Sequence, residues 1–315
     1  MMALLGAAAL HAQAQPAYPQ RPVTIVVAFP PGGMTDIVSR SLAKELGDAL
    51  KQPFVVDNRA GAAGQVGTEY VARKPADGYT LLVSSTGYVT GPVVQKKVNY
   101  DPIKSFEPIA VLAKAPNLLV VNPSVPARTV PEFLSWAKVQ PSVPFATSGV
   151  GGTTHLAGEL LRHESGLPMV HVPYKGAAPA IIDTVAGQIS VAFQDSMSVS
   201  SFVASGRLRP LATASAQRSS LFPDLPTLNE SGFKNFDIYT WLGLYAPAGT
   251  PHEIVGQLNQ AVNKIMNSPE MVKRLREQYS EPVGALNLAQ MREFVAHEAV
   301  KYRDMVDLAG VKVED

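Results

Sequence analysis

Short apolar runs alternate along this chain with longer segments whose apolar positions recur every three or four residues, the pattern of an α/β fold with largely parallel sheets. Val23-Thr24-Ile25-Val26-Val27-Ala28 reads as a first strand, and Val38, Leu42 and Leu46 then share one helical face. Phe54-Val55-Val56 is a second strand. A helix from about Gln65 to Arg73 leads to a third, Tyr79-Thr80-Leu81-Leu82-Val83. Ile109 to Ala113 and Leu118 to Val121 read as two further strands.

A second region opens at Pro123-Ser124-Val125-Pro126, where Thr129-Val130-Pro131-Glu132 has capping-box spacing with proline in the first helical turn. Strands are predicted at Phe145-Ala146-Thr147, Met169 to Val172, Ile189 to Phe193 and Leu211 to Ala214. The helices between them should end near Gly166 and Gly187. Thr250-Pro251-His252-Glu253 offers another capping box before Ile254, Leu258, Val262 and Ile265. Ser268-Pro269-Glu270 starts the next helix, and Met291, Val295, Ala299, Tyr302 and Val306 line a terminal one that stops at Gly310.

At 315 residues and 46% hydrophobic content, the chain can bury one large or two medium cores, which makes two domains the natural division. A net charge of +1 without a basic stripe gives no footprint for nucleic acid and no polybasic membrane anchor. Ala3 to Leu10 reads as the apolar core of a secretory leader, with Ala12-Gln13-Ala14 as a cleavage site before Gln15. No basic segment precedes it, so residues 1–14 are read as a signal-peptide remnant. No later segment is long and apolar enough to span a membrane, and the mature chain is expected to be soluble. The absence of cysteine excludes thiol catalysis, thiolate metal sites and a lipoprotein anchor.

Phe29-Pro30-Pro31-Gly32-Gly33-Met34-Thr35-Asp36 joins the first strand to the first helix. Its prolines stiffen the approach, its glycines let main chain come close to a ligand, and free N–H groups at a helix start can hold an anion. A tight strand-to-helix connection would use the same residues. Ser148-Gly149-Val150-Gly151-Gly152-Thr153-Thr154 is a second such turn, with Thr153 or Thr154 placed to cap the helix that follows. It lacks the Gly-Lys-Ser/Thr ending of a phosphate loop, and Thr154 stands where Gly-x-Gly-x-x-Gly needs its last glycine. Ser84-Ser85-Thr86-Gly87 and Asp195 lie at carboxyl ends of strands, where open α/β sheets bind ligands, although a plain turn or cap would look the same.

His155 beside Leu156 reads as a packed residue bonded to neighbouring main chain, and the remaining histidines have no metal-ligand spacing. There is no Gly-x-Ser-x-Gly elbow. Lys175 reads as a solvated loop residue or a lobe-to-lobe contact. Gly61, Gly64 and Gly67, spaced by three, suit close helix-to-sheet packing. Phe29, Tyr88 and Trp241 lie near strand ends as pocket walls or as core.

Arg59-Ala60-Gly61-Ala62-Ala63-Gly64-Gln65-Val66-Gly67, Asp77-Gly78-Tyr79-Thr80-Leu81-Leu82, Ser148 to Leu156, Val172-Pro173-Tyr174-Lys175-Gly176 and Leu225-Pro226-Thr227-Leu228 follow the first loop in that order. The series resembles the Bug-type receptors, the periplasmic solute-binding proteins of tripartite tricarboxylate transporters, from about Arg21 to the C-terminus. That resemblance implies a two-lobed, type II-like periplasmic binding protein fold, each lobe a mostly parallel α/β sheet flanked by helices. Residues 15–122 with 245–315 would form lobe 1, and 123–244 lobe 2. Crossings would fall near Val121 to Val125 and Trp241 to Tyr245, with the C-terminal helices returning to lobe 1.

It also implies that the two glycine loops close on one carboxylate from opposite lobes, through backbone N–H groups, hydroxyls and bound water. The expected ligand-binding set is Phe29, Pro31, Gly32, Gly33, Met34, Thr35, Ser84, Thr86, Ser148, Gly152, Thr153, Thr154 and Asp195. The implied function is capture of a small carboxylate (a dicarboxylate, tricarboxylate, acidic amino acid or aromatic acid) and its delivery to the transporter's membrane subunits. An exported monomer without cofactor, metal or nucleic-acid partner would do this. The alternative is an α/β enzyme acting on a small organic acid, for which no nucleophile-plus-base spacing is present.

Overall fold

A computed structural model describes residues 18–95 and 97–311; the leader assigned to residues 1–14 lies outside them. The elements in chain order are β1 (Val23–Val27), α1 (Met34–Leu50), β2 (Phe54–Asn58), α2 (Gln65–Ala72), β3 (Thr80–Ser85), α3 (Gly87–Val94), β4 (Phe106–Val121) and α4 (Val130–Lys138). They continue with β5 (Val143–Thr147), α5 (Thr153–Ser165), β6 (Met169–Pro173), α6 (Ala177–Val185), β7 (Val191–Asp195), α7 (Ser196–Ala204), β8 (Arg209–Thr213) and β9 (Tyr239–Pro247). Helices α8 (His252–Met266), α9 (Pro269–Glu277) and α10 (Leu288–Leu308) end the chain.

Two parallel groups are built from strand–helix–strand units, β2-β1-β3 in one lobe and β7-β5-β6 in the other. Strands β9 and β4 lie between them, antiparallel to each other and to β3 and β7, so that one mixed sheet runs β2-β1-β3-β9-β4-β7-β5-β6, with β8 against β4. Ile109 to Ala113 and Leu118 to Val121, read as separate strands, are one strand of 16 residues. Its first part pairs with β9 up to Pro116↔Tyr239, and from Asn117 onward it pairs with β7. Pro116 has no N–H for a ladder, and it stands where the strand changes neighbours, which is where that loss is tolerated. What breaks the apolar run in the sequence is a change of partner, not an end.

Apolar packing follows the lobes and then joins them. Leu42 and Leu46 of α1, Ile109 of β4 and Leu258 and Val262 of α8 share one core, which is how the C-terminal helices return to the first lobe. Leu118, Val120, Ile181 and Val199 form a smaller core in the second lobe. A third cluster includes Tyr88 and Tyr245 of the first lobe, Phe145 and Phe193 of the second, and Met291 and Val295 of α10.

The helix starts differ in chemistry. Thr129 Oγ1 accepts from Glu132 N at 3.3 Å, but the Glu132 carboxylate accepts from Arg128 N rather than closing the box on Thr129. The box expected at Thr250 does not form: Pro251 is the N-cap of α8, and the Thr250 hydroxyl donates to Pro247 O at 2.7 Å. A full capping box occurs at Asn287 and Gln290, opening α10.

Helix α2 lies close to the end of β1, where a Cβ on Gly67 would stand 2.8 Å from Ala28 Cα and 2.9 Å from Arg59 O. Both obstacles are backbone and cannot rotate aside. Gly67→Ala should therefore lower stability by about 1–3 kcal/mol, read as a lower urea midpoint. An unchanged midpoint would show that α2 moves out without cost.

Candidate functional site

The turn after β1 is held by a buried carboxylate. Asp36, in the first turn of α1, accepts from Gly32 N and Arg40 Nε at 3.1 Å each and from Asn58 Nδ2 at 3.0 Å, while Asn58 also donates to Phe29 O at 3.0 Å. Burial pushes the Asp36 carboxyl up, but the bonds from Arg40, Asn58 and Gly32 outweigh it and hold it below the usual range. The acid is spent on the loop itself. With Gly32 at φ +90 the chain takes a left-handed turn, and Gly33 then caps α1 without a side chain, leaving the first N–H groups of the helix facing the cleft.

The second turn is braced from below by two histidines. His155 Nδ1 accepts from Gly151 N at 3.1 Å, and its ring stacks on His171 with centroids 3.9 Å apart. His171 Nε2 lies 2.6 Å from Thr147 Oγ1, which also accepts from Gly149 N at 3.3 Å. Two N–H groups of the glycine turn are thus spent beneath it, that of Gly151 on the His155 imidazole and that of Gly149 on the Thr147 hydroxyl. Thr154 Oγ1 accepts from Ser148 N at 3.1 Å, so it shapes the turn. Neither threonine caps α5, whose N-cap is Gly152. The first intrahelical bond is from Leu156 N to Gly152 O, so the N–H groups of Thr153 to His155 have no acceptor within the helix.

The two turns meet at an inner cavity of about 50 Å³. It is walled by the first turns of four helices: Met34 and Thr35 of α1, Thr153 and Thr154 of α5, Ala177 and Ala178 of α6, and Asp195 with Ser198 at the start of α7. Among the described residues, no lysine or arginine lines it. Each helix N-terminus carries a partial positive charge of about half an elementary charge, so four of them create an anion-attracting field with neutral side chains. Asp195 neutralises part of it, accepting from Ser198 N at 2.9 Å and Ser198 Oγ at 2.8 Å as the cap of α7. Burial pushes its carboxyl up against those bonds. The Ser198 hydroxyl in turn accepts from Met34 N at 3.4 Å, which ties the lobes together.

Outside lies a larger chamber of about 540 Å³, bordered by Lys97, Tyr174 and Lys175. A neck formed by Phe29, Pro30, Ala63, Ser148, Gly149 and Gly176 separates the two spaces. It is tight because a Cβ on Gly176 would sit 3.0 Å from the Pro30 ring, across the cleft.

Phe29, Pro31, Gly33, Met34, Thr35, Ser148, Gly152, Thr153, Thr154 and Asp195 all border the inner cavity. Gly32 shapes the turn without bordering it. Ser84 and Thr86 do not border it either. Ser84 is buried in the sheet opposite Gly243, and Thr86 Oγ1 accepts from Trp241 N at 3.0 Å, joining β3 to β9. Ser85, between them, faces the cavity, as strand alternation dictates. Tyr88 stacks on Tyr245 and Trp241 donates to Glu298 at 2.7 Å, both inside the protein; Phe29 alone of the three aromatics is a wall. Thr240 and Ser198 also reach the cavity, and only the crossing of β9 and the cap of α7 bring them there.

Two lobes closing on a cavity walled by helix starts define a solute-capturing fold of the periplasmic binding protein type. The chain matches the tripartite tricarboxylate transporter family receptor over residues 38–311, and it belongs to that family. It is 36% identical to protein BugT of Bordetella pertussis over 94% of this chain and 92% of the relative. An R. palustris protein solved with adipate superposes with a TM-score of 0.90 at 35% identity, over 93% of this chain and 99% of that one. MatC of Rhodopseudomonas palustris, solved with bound malate, gives 0.86 at 30% identity, over 92% and 100%.

The histidine brace makes stability depend on pH. Burial lowers His155 from the ordinary 6.5 to about 3, helped by His171 and Arg162, and lowers His171 to about 4. The unfolded chain binds these protons more readily, so the stabilisation is complete above pH 6.5 and is lost as pH falls toward the folded-state values. Each histidine contributes a slope of about 1.4 kcal/mol per pH unit inside that window. Asn at 155 keeps an acceptor for Gly151 N, and Gln at 171 keeps a hydrogen-bonding group for Thr147, neither of them titrating. Urea unfolding at pH 7 and pH 5 should show a smaller loss for the double variant His155→Asn, His171→Gln than for the wild type; equal losses would contradict the assignment.

Proposed function

We propose that this protein is an extracytoplasmic receptor that closes its two lobes on a small carboxylate and hands it, unchanged, to the membrane subunits of a tripartite tricarboxylate transporter. The observation that carries this reading is the convergence of the α1, α5, α6 and α7 N-termini on one cavity that no cationic side chain among the described residues lines. Such a seat specifies a carboxylate and leaves the rest of the ligand free. At about 50 Å³ the inner cavity holds a carboxylate group and little else. The body of the ligand then runs through the neck, and its far end lies in the outer chamber beside Lys97 and Lys175. A short dicarboxylate fits that division, in keeping with relatives solved with adipate and malate.

The lobes, residues 15–122 with 245–315 against 123–244, move about β4 and β9, and the leader pattern at 1–14 sends a monomer to the periplasm. No observation favours the enzyme alternative: neither His155 nor His171 borders the inner cavity, and among the described residues no cluster of three or more His, Asp or Glu could hold a metal.

A thermal-shift panel of carboxylic acids including adipate and malate, followed by calorimetry, tests the reading. A ligand at 100 times its Kd should add about 2.7 kcal/mol to the folded state. A Cβ on Gly33 would meet nothing within 4 Å, so Gly33→Asp should fold normally yet abolish binding by placing a carboxylate against the N–H groups. Unchanged affinity in that variant would move the site elsewhere. Solution scattering should show compaction with ligand, and prolonged incubation should return the ligand intact. Turnover would favour the enzyme.

A further inference from the structure

Two fully buried amides beside the inner cavity have donors that no described residue satisfies. Asn117 Nδ2 and Gln194 Nε2 are both without a partner, on side chains that are 0% exposed. Their carbonyl ends are occupied. Ser148 Oγ donates to Gln194 Oε1 at 2.8 Å, and Thr240 Oγ1 donates to Asn117 Oδ1 at 2.9 Å. Since Thr240 has given its only proton to Asn117, the 2.7 Å contact between Thr153 and Thr240 must be donated by Thr153.

All three hydroxyl protons therefore run away from the cavity that Ser148, Thr153 and Thr240 border, those of Ser148 and Thr240 onto amide oxygens and that of Thr153 onto Thr240, while the amide nitrogens stay idle. A buried N–H without a partner is costly, and an amide's two ends are nearly the same shape. Turning each amide end for end reverses both chains. Asn117 Nδ2 then donates to Thr240, Thr240 to Thr153, and Thr153 into the cavity; Gln194 Nε2 donates to Ser148, and Ser148 into the cavity.

We infer that Asn117 and Gln194 are positioning residues that set the direction of the Ser148 and Thr153–Thr240 hydroxyls, making the inner cavity a seat of donors for a group that only accepts. The inference deepens the carboxylate reading above and rests on it. An ionised carboxylate accepts and never donates, so it is favoured over a primary amide, whose NH₂ end meets further donors. Asn117 lies on β4, Thr240 on β9 and Gln194 on β7, so the selection is made by the strands beneath the glycine turns and not by the turns themselves.

The test compares adipate with adipamide, which must place an amide in the inner cavity, by calorimetry on the whole chain. The neutral double variant Asn117→Leu, Gln194→Met removes the fixed direction without adding charge. Its preference for adipate over adipamide should fall at least tenfold, with adipamide binding no more weakly than in the wild type. Equal weakening of both ligands would make the amides merely structural and overturn the inference. In case that variant does not fold, the side-chain ¹⁵NH₂ resonances of Asn117 and Gln194 are followed in the wild type. In the adipate-saturated complex one side-chain proton of each should lie downfield, in a hydrogen bond, and free-amide positions for both overturn the proposal. If neither adipate nor malate binds the wild type, the parent reading and this inference fall together; adipate binding with an unaltered preference in the variant overturns the inference alone.

Discussion

The antiparallel ladder between β4 and β9 is the constraint on which the rest depends. It runs from Phe106↔Pro247 to Pro116↔Tyr239, and β4 then passes without a break into the second lobe to pair with β7. The ladder therefore joins the two parallel groups, with β4 running from one into the other as a single strand. The parallel groups are oriented so that the carboxyl ends of their strands, with the helix starts that follow, face one cleft. Thr240 sits where β9 has passed beyond β3 and pairs with β4 alone, so the crossing itself contributes a wall of the cavity.

The electrostatics of that cleft come from backbone. A lysine or arginine would supply a full charge but would also impose length, flexibility and a fixed fork geometry on whatever binds. Helix starts supply smaller charges that are rigid and need no rotamer to be ordered. The charged groups nearby are occupied elsewhere: Asp36 and Arg40 lock the first turn, and Asp195 caps α7. The structure uses side-chain charge to fix the shape of the turns and main-chain dipoles to define what they attract.

The second turn shows how rigidity is obtained where glycine would give freedom. Gly149 and Gly151 have φ of +137 and +78, which lets the chain fold tightly, and a Cβ on Gly151 would collide with Val94 of the other lobe. Flexibility is removed from beneath, by His155 accepting from Gly151 and by His171 acting through Thr147. The Thr90 hydroxyl donates to Gly151 O from the first lobe. A loop that must admit a ligand is thus preorganised by imidazoles that burial keeps neutral.

The sequence by itself determined the α/β class, the order of most strands and helices and the two glycine turns, because these rest on local signals: apolar period, caps and left-handed glycines. Phe29, Gly33, Thr153 and Asp195, each within a few residues of a local signal, lie at turns that border the cavity. Only the tertiary structure decided that Ser85 and not Ser84 or Thr86 faces the cleft, that β4 is one strand, and that Thr240, Asn117 and Gln194 reach the glycine turns. The reason is physical. A strand's face is fixed by the neighbour it pairs with, and a buried side chain's partners are fixed by which elements cross beside it. Asn117 and Thr240 are far apart along the chain, and no local period connects them until β4 and β9 lie side by side.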